Sequence, residues 1–220
     1  MCAQVISCGR RRPPLRLFHP IRYNPAMHSL LTVGWIPCCI YGSVPAFWLV
    51  VHPYADFWRR RHRERKPVYQ FLVPLWMAMW AALYAATWPL RSTFFYAAGW
   101  SWIPGITLLV LGTWIYLSAH SDFSFRQLIG YQELRPDDHP PELSLSGVRQ
   151  RVRHPVYLAH LCEMLGFAIG SGRATCWVLV AFALATGWIM VQSEERELVE
   201  RFGQSYREYQ QQVPALIPKL

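Results

Sequence analysis

Charge is what this sequence has least of. Only 16% of its 220 residues are Asp, Glu, Lys or Arg, too few for the surface of an ordinary water-soluble domain. Acidic residues are the scarcer sign, 13 against 22 basic ones. No C-x-x-C pair occurs among the six cysteines (Cys2, Cys8, Cys38, Cys39, Cys162, Cys176), which argues against a disulfide framework or a short-spaced zinc site. Four of the six lie inside apolar runs, where cysteine reads as a small apolar filler. The histidines form no H-E-x-x-H or other close ligand pair, so no metal is implied. The glycine-rich G-x-G-x-x-G phosphate fingerprint is also missing, which removes a soluble Rossmann domain as an explanation.

What is present is apolar surface, 53% of the chain with 15% aromatic. It is gathered into runs about as long as the ~30 Å hydrocarbon core of a bilayer requires. The expected fold is therefore an all-α integral membrane protein of about five transmembrane helices, with a C-terminal helical hairpin and a cytoplasmic amphipathic C-terminal helix. The net charge of +9 does not point to nucleic acid. The arginines cluster at the ends of apolar runs, where cytoplasmic positive charge sits.

Three regions divide the chain. Residues 1–28 hold five arginines and no long apolar stretch; they read as a disordered or interfacial arm, not a signal peptide. This arm is basic on what the span count makes the outer side, so Met27 is read as the natural start. Residues 29–100 carry two spans, Ser29 to Val51, interrupted by Pro37 and Pro45, and Phe71 to Trp88. Between them Arg59–Lys66 is the densest cationic run, a cytoplasmic anchor on anionic headgroups. The stripe Trp76, Trp80, Tyr84, Trp88 reads as packing and interface belt. Residues 101–220 begin with a third span, Trp102 to Ala119, followed by a long polar loop, His120 to Pro155. In that loop Asp122 reads as a helix cap and Asp137, Asp138 and His139 as a solvated turn.

The organising stretch is Arg151-Val152-Arg153-His154-Pro155-Val156-Tyr157. Arg149, Arg151, Arg153 and His154 stand at the threshold of the apolar run Val156 to Gly170, and ionisable groups there need partners. A tight turn at Gly170-Ser171-Gly172 leads into a further run, Ala174 to Gln192, and then to Glu194-Glu195. If the two runs form a helical hairpin, the cationic and acidic clusters meet on one face of the membrane. Glu163, inside the fourth run, should face a polar cavity, pair with a partner such as His160, or be protonated. Beyond Ser193, Leu198, Phe202, Tyr206, Tyr209 and Val213 follow helical spacing on an otherwise charged helix that should lie on the membrane surface or cover the site, ended by Pro214 and Pro218.

Taken together, Gly147-x5-Arg153-His154-Pro155-x-Tyr157, an apolar hairpin, Glu194-Glu195-x-x-Leu198 and Phe202-Gly203-x-x-Tyr206-x-x-Tyr209-x-x-x-Val213-Pro214 resemble the isoprenylcysteine carboxyl methyltransferase family. The likeness covers roughly residues 100–218, and the C-terminal half is also similar to the phospholipid N-methyltransferases. It departs from the family at two positions, where Arg149 and Ala159 replace a customary aromatic and glycine. The resemblance implies a helical membrane enzyme that uses S-adenosylmethionine (SAM). It implies cofactor binding by Gly147, Arg153, His154, Pro155, Tyr157, Glu194 and Glu195, and catalytic parts for Arg153, Glu195 and Arg196.

The side-chain chemistry is compatible with that cofactor. SAM presents a sulfonium, a carboxylate, an amino group and an adenine, so its pocket needs acidic and aromatic surfaces beside a cation. Glu194 or Glu195 can receive amino or ribose hydroxyl groups, Arg153 or His154 the carboxylate, and Tyr157 can stack or donate. Arg149, Arg151 or Arg196 could orient an acidic acceptor. The expected reaction is methyl transfer to a lipid-like or small amphiphilic acceptor, with membrane lipids as partners and no nucleic acid. The site is expected on the cytoplasmic face of an inner or plasma membrane, or of the endoplasmic reticulum in a eukaryote. Two other readings stay open: an NADPH-dependent membrane reductase of sterol or enone lipids, whose closing pattern differs from Arg201-Phe202-Gly203, and a non-catalytic membrane protein whose charges only anchor its topology.

Overall fold

The computed structural model describes residues 25–54, 57, 58, 60, 69–97, 99–121, 143 and 145–218. The first 24 residues of the expected arm, the basic run 59–66 apart from Arg60, Asp122 and the turn at Asp137, Asp138 and His139 lie outside them. Helix α1 (Pro25–Val51) starts four residues before the expected span, so Met27 falls within it. Then come α2 (Tyr69–Thr87), α3 (Trp102–Ser121), α4 (Pro155–Ser171), α5 (Ala174–Phe202) and α6 (Gln204–Gln212).

Four helices among the described residues are long and apolar enough to cross a bilayer, within Gly34–Tyr54, Gln70–Leu90, Gly99–Ala119 and Ala174–Phe202. That is one fewer than the sequence suggests. Helix α4 has 17 residues, a rise of about 25 Å, which falls short of the hydrocarbon core. It is instead the central packing helix, touching α1, α3 and α5 and burying Ala159, Cys162, Met164, Gly166, Ala168 and Gly170.

Small residues bring α3 and α4 together. A Cβ built on Gly105 would stand 2.9 Å from the Gly166 carbonyl oxygen, and one on Gly166 would stand 2.8 Å from that of Gly105. Apolar burial drives little association between helices in lipid, so such close backbone approach supplies the dispersion contact. On the other side Trp35, Cys38 and Cys39 of α1 meet Met164 and Ala168 of α4 and Cys176, Leu179 and Val180 of α5. The four described intramembrane cysteines are free and buried, as expected of fillers. Trp35 donates to Thr87 Oγ1 at 2.9 Å and stacks on Tyr84 at 4.2 Å, which gives the aromatic stripe of α2 its packing partner.

The hairpin turn falls where its glycines place it. Gly172 takes φ +61, and its site leaves no room for a Cβ against the Tyr96 carbonyl. The connection between α2 and α3 pairs onto this turn through Phe95 N–H to Gly172 O at 2.9 Å and Ala174 N–H to Thr93 O at 3.0 Å. The charged segment after Gln192 does not form a separate helix. Helix α5 continues through it to Phe202, and the break comes at Gly203, with φ +60 and ψ −128. The expected apolar stripe is thus shared by two helices. Tyr206, Tyr209 and Val213 are buried with Leu143, Leu198, Val199 and Phe202, so α6 folds back over the end of the bundle.

Candidate functional site

The hairpin carries the two ends of its helices to one level. Arg153 and His154 precede α4, with buried Pro155 as its first residue, where a missing N–H costs nothing. Glu194 and Glu195 lie on α5, two turns before its end. The Arg153 guanidinium grips Glu195 with two parallel bonds, Nε to Oε1 at 2.7 Å and Nη2 to Oε2 at 2.8 Å. Its third nitrogen, Nη1, donates to the carbonyls of Gln210, at 3.1 Å, and Val213. Both side chains are nearly enclosed, 10% and 12% exposed.

Glu195 is the hub. Beyond Arg153 it receives His154 Nε2 at 2.8 Å and Tyr206 Oη at 3.2 Å on Oε1, and Gln210 Nε2 at 2.6 Å on Oε2. A carboxylate only accepts, so His154 carries its hydrogen on Nε2. Five donors use up the acceptor capacity of Glu195. Burial, and after it the charge of Glu195, pushes the Tyr206 phenol far above its usual range, so it acts as a fixed donor.

Glu194 is different. Its Oε2 is buried with no hydrogen-bond partner among the described residues and lies 3.6 Å from His154 Nδ1. This acceptor is left open beside a full one.

The chain end closes the arrangement. Arg153 N–H donates to Pro214 O and His154 N–H to Ala215 O, both at 3.0 Å, and Tyr209 Oη donates to Arg149 O at 2.6 Å. The segment Val213–Ala215 is thereby strapped across the Arg153–His154 backbone. Beside the hub an open cavity of about 390 Å³ is lined by Gln192, Glu195, Arg196, Glu200, Arg207 and Gln210 among others.

Of the residues singled out in the sequence, Arg153, His154, Glu194 and Glu195 come together, and Arg196 borders the cavity from the next position on α5. Tyr157 sits nearly one turn beyond His154 and stacks on it at 5.9 Å. Gly147, with φ +60, opens the short turn Gly147–Gln150 that leads to the motif and is exposed. The departures from the family pattern are accommodated: Ala159 is buried against α3, and the Arg149 carbonyl anchors Tyr209. Sequence reasoning did not pick out Gln210. It lies next to Tyr209 in the closing motif, but an amide has no signal of its own. The backbone acceptors of Gln210, Val213, Pro214 and Ala215 have no side-chain signature at all.

A family model described as phospholipid methyltransferase matches residues 100–205, a stretch that contains α3, α4, α5 and both halves of the hub pair. The chain is also similar to proteins named methanethiol S-methyltransferase. It is 31% identical over 86 residues to number 1 of Bradyrhizobium diazoefficiens, covering 36% of this chain and 27% of that protein. It is 39% identical over 74 residues to number 2 of the same organism, covering 31% and 26%. For that of Pseudomonas deceptionensis the identity is 38% over 71 residues, again 31% and 26%. The matched stretch thus spans about a quarter of the length of each of these relatives. No solved structure matches the chain.

Proposed function

Because a family model described as phospholipid methyltransferase matches residues 100–205, we propose that this protein is an integral-membrane methyltransferase that takes its methyl group from SAM. The observation that carries the reading is the pair of adjacent carboxylates with opposite states, Glu195 saturated by five donors and Glu194 holding an open, buried oxygen. An open acceptor on Glu194, together with a cavity beside Glu195 that two arginines line, suits a ligand carrying both hydrogen-bond donors and a carboxylate, as SAM does.

Glu194 would accept from the amino or ribose hydroxyl groups, while Arg196 and Arg207 would face the carboxylate. Glu195 would act at one remove, fixing the Arg153 fork and the His154 ring beside Glu194. Tyr157 keeps the His154 ring in plane by stacking. The strap Val213–Ala215 would limit water at the motif. When bound, SAM supplies a methyl group on a sulfonium, already activated for transfer to a nucleophile.

The acceptor we favour is a small thiol, a reading supported by the names of the relatives; the isoprenylcysteine carboxylate suggested by the motif resemblance comes second. We place the site on the cytoplasmic face. His52, just after α1, is 3.0 Å from Glu197 on α5, so α1 ends at the same end of the bundle as the hub; in sequence a basic run follows it, and such runs stay inside.

Equilibrium binding to detergent-purified protein, with NADPH as comparator, tests the cofactor. Micromolar SAM binding, lost in Arg153→Ala and weakened in Glu194→Gln, is expected. A folded wild type that binds NADPH and not SAM would refute the reading.

A further inference from the structure

A second polar cluster lies deeper, within the apolar part of the bundle. His160 of α4 is sandwiched between two tyrosine rings, Tyr41 of α1 at 4.6 Å and 13° and Tyr116 of α3 at 5.9 Å and 27°. Its ring nitrogens have no hydrogen-bond partner among the described residues. One turn further, Glu163 accepts from Thr113 Oγ1 at 3.2 Å. Gly112 makes room for it, since a Cβ there would stand 2.7 Å from Glu163 Cγ. All four of Tyr41, Tyr116, His160 and Glu163 are half-buried, not enclosed.

The cluster stands on the helix that the hub motif begins. Six residues along a helix advance about 9 Å and turn by about 120°, so His160 lies about 9 Å deeper than His154 and about a third of a turn around α4 from it. Helix packing alone does not call for such a group. Leucine or phenylalanine would fill the gap between two tyrosines, whereas an imidazole without partners in an apolar span carries a desolvation cost.

We infer that this cluster is the acceptor site, and that it takes a small uncharged thiol arriving through the lipid, with His160 as the base that receives its proton. The inference rests on the methyl-transfer reading above. A carboxylate or other anion would be costly to bring to this depth. An uncharged thiol enters readily but is a poor nucleophile until it loses its proton. In the step, the acceptor's S–H bond breaks, its electron pair stays on sulfur and the proton goes to His160. That sulfur forms a bond to the methyl carbon of the sulfonium donor, whose own carbon–sulfur bond breaks with its electrons left on the donor sulfur. The products are a neutral thioether, a neutral donor residue and an imidazolium. Two tyrosine faces stand where that cation forms.

The test pairs SAM binding with thioether formation from ethanethiol, from the more acidic thiophenol and from charged mercaptoacetate. His160→Asn should bind SAM within about twofold of wild type and lose about 100-fold or more in kcat for ethanethiol, with a much smaller loss for thiophenol, which needs less help to ionise. Equal losses for the two thiols, no loss, or loss of SAM binding would overturn the assignment. Should that variant fail to fold, the wild type decides: kcat/KM for mercaptoacetate should be about 100-fold below that for ethanethiol, and equal values would overturn it. A wild type that binds SAM and methylates a carboxylate but neither thiol sinks the inference alone. One that binds no SAM sinks the methyltransferase reading as well.

Discussion

Arg153 and Glu195 meet in a two-bonded fork, 2.7 and 2.8 Å, and the same guanidinium reaches on to the carbonyls of Gln210 and Val213. One side chain therefore binds the start of α4 to α5, to α6 and to the tail. The pair is enclosed enough that removing one partner strands the charge of the other, at a cost of about 3 to 5 kcal/mol.

Glu194 and Glu195 should separate under the same conservative change. Glu195→Gln places an amide donor against Arg153 and Gln210, so thermal unfolding in detergent should show a loss of about 3 kcal/mol. Glu194→Gln disturbs no hydrogen bond of the described residues and should stay within about 0.5 kcal/mol of wild type, yet weaken SAM binding about tenfold, near the 1.4 kcal/mol of one charge-assisted bond. If both variants lose stability equally, the division of labour between the two carboxylates is wrong.

Arg153→Lys tests geometry against charge. An ammonium cannot reproduce the planar fork while also reaching two carbonyls on the far side. SAM affinity should fall at least about tenfold despite the retained charge. Calorimetry showing unchanged affinity would mean that only the positive charge matters.

How far the sequence announces this arrangement depends on what kind of group is involved. The hairpin and the meeting of Arg153 with the Glu194–Glu195 pair could be read from the position of charges at the ends of apolar runs, because bilayer energetics punish any other placement. Choosing between the two glutamates could not. Helical geometry puts adjacent residues about 100° apart, and only the positions of α4 and α6 decide which one faces Arg153. The break at Gly203 was equally hidden, since the stripe Leu198, Phe202, Tyr206, Tyr209 continues in period across it. A glycine signals only that a break is permitted. The short α4 follows from its neighbours: a helix wrapped by α1, α3 and α5 need not match the bilayer thickness itself.

Two glycines make opposite predictions about alanine. At Gly112 a Cβ would stand 2.8 Å from the Ala159 carbonyl oxygen and 2.7 Å from Glu163 Cγ, so Gly112→Ala must push α3 from α4 and should cost about 1 to 3 kcal/mol. At Gly203 there is open space, but φ is +60 with ψ −128, a conformation that side chains resist. Gly203→Ala should cost about 1 to 2 kcal/mol through backbone strain alone. Gly203→Asn should recover little, because ψ lies far from the left-handed helical region that asparagine tolerates. Unfolding midpoints of the three variants check this.

Removing the tail should switch off the site without unfolding the bundle. A stop after Val213 deletes the carbonyls of Pro214 and Ala215 and with them the acceptors for the Arg153 and His154 N–H groups. It leaves the Arg153 contacts to Glu195, Gln210 and Val213 and the buried side chains of Tyr206 and Tyr209. Two lost backbone bonds correspond to about 1 to 3 kcal/mol, to be drawn from the motif and not from the distant spans. The truncated protein should extract and elute as a folded membrane protein with α1 to α5 intact, while its affinity for SAM drops about tenfold or more, in line with a 1.4 kcal/mol loss at the site. Equal SAM affinity with and without the tail would show that the strap only caps the fold.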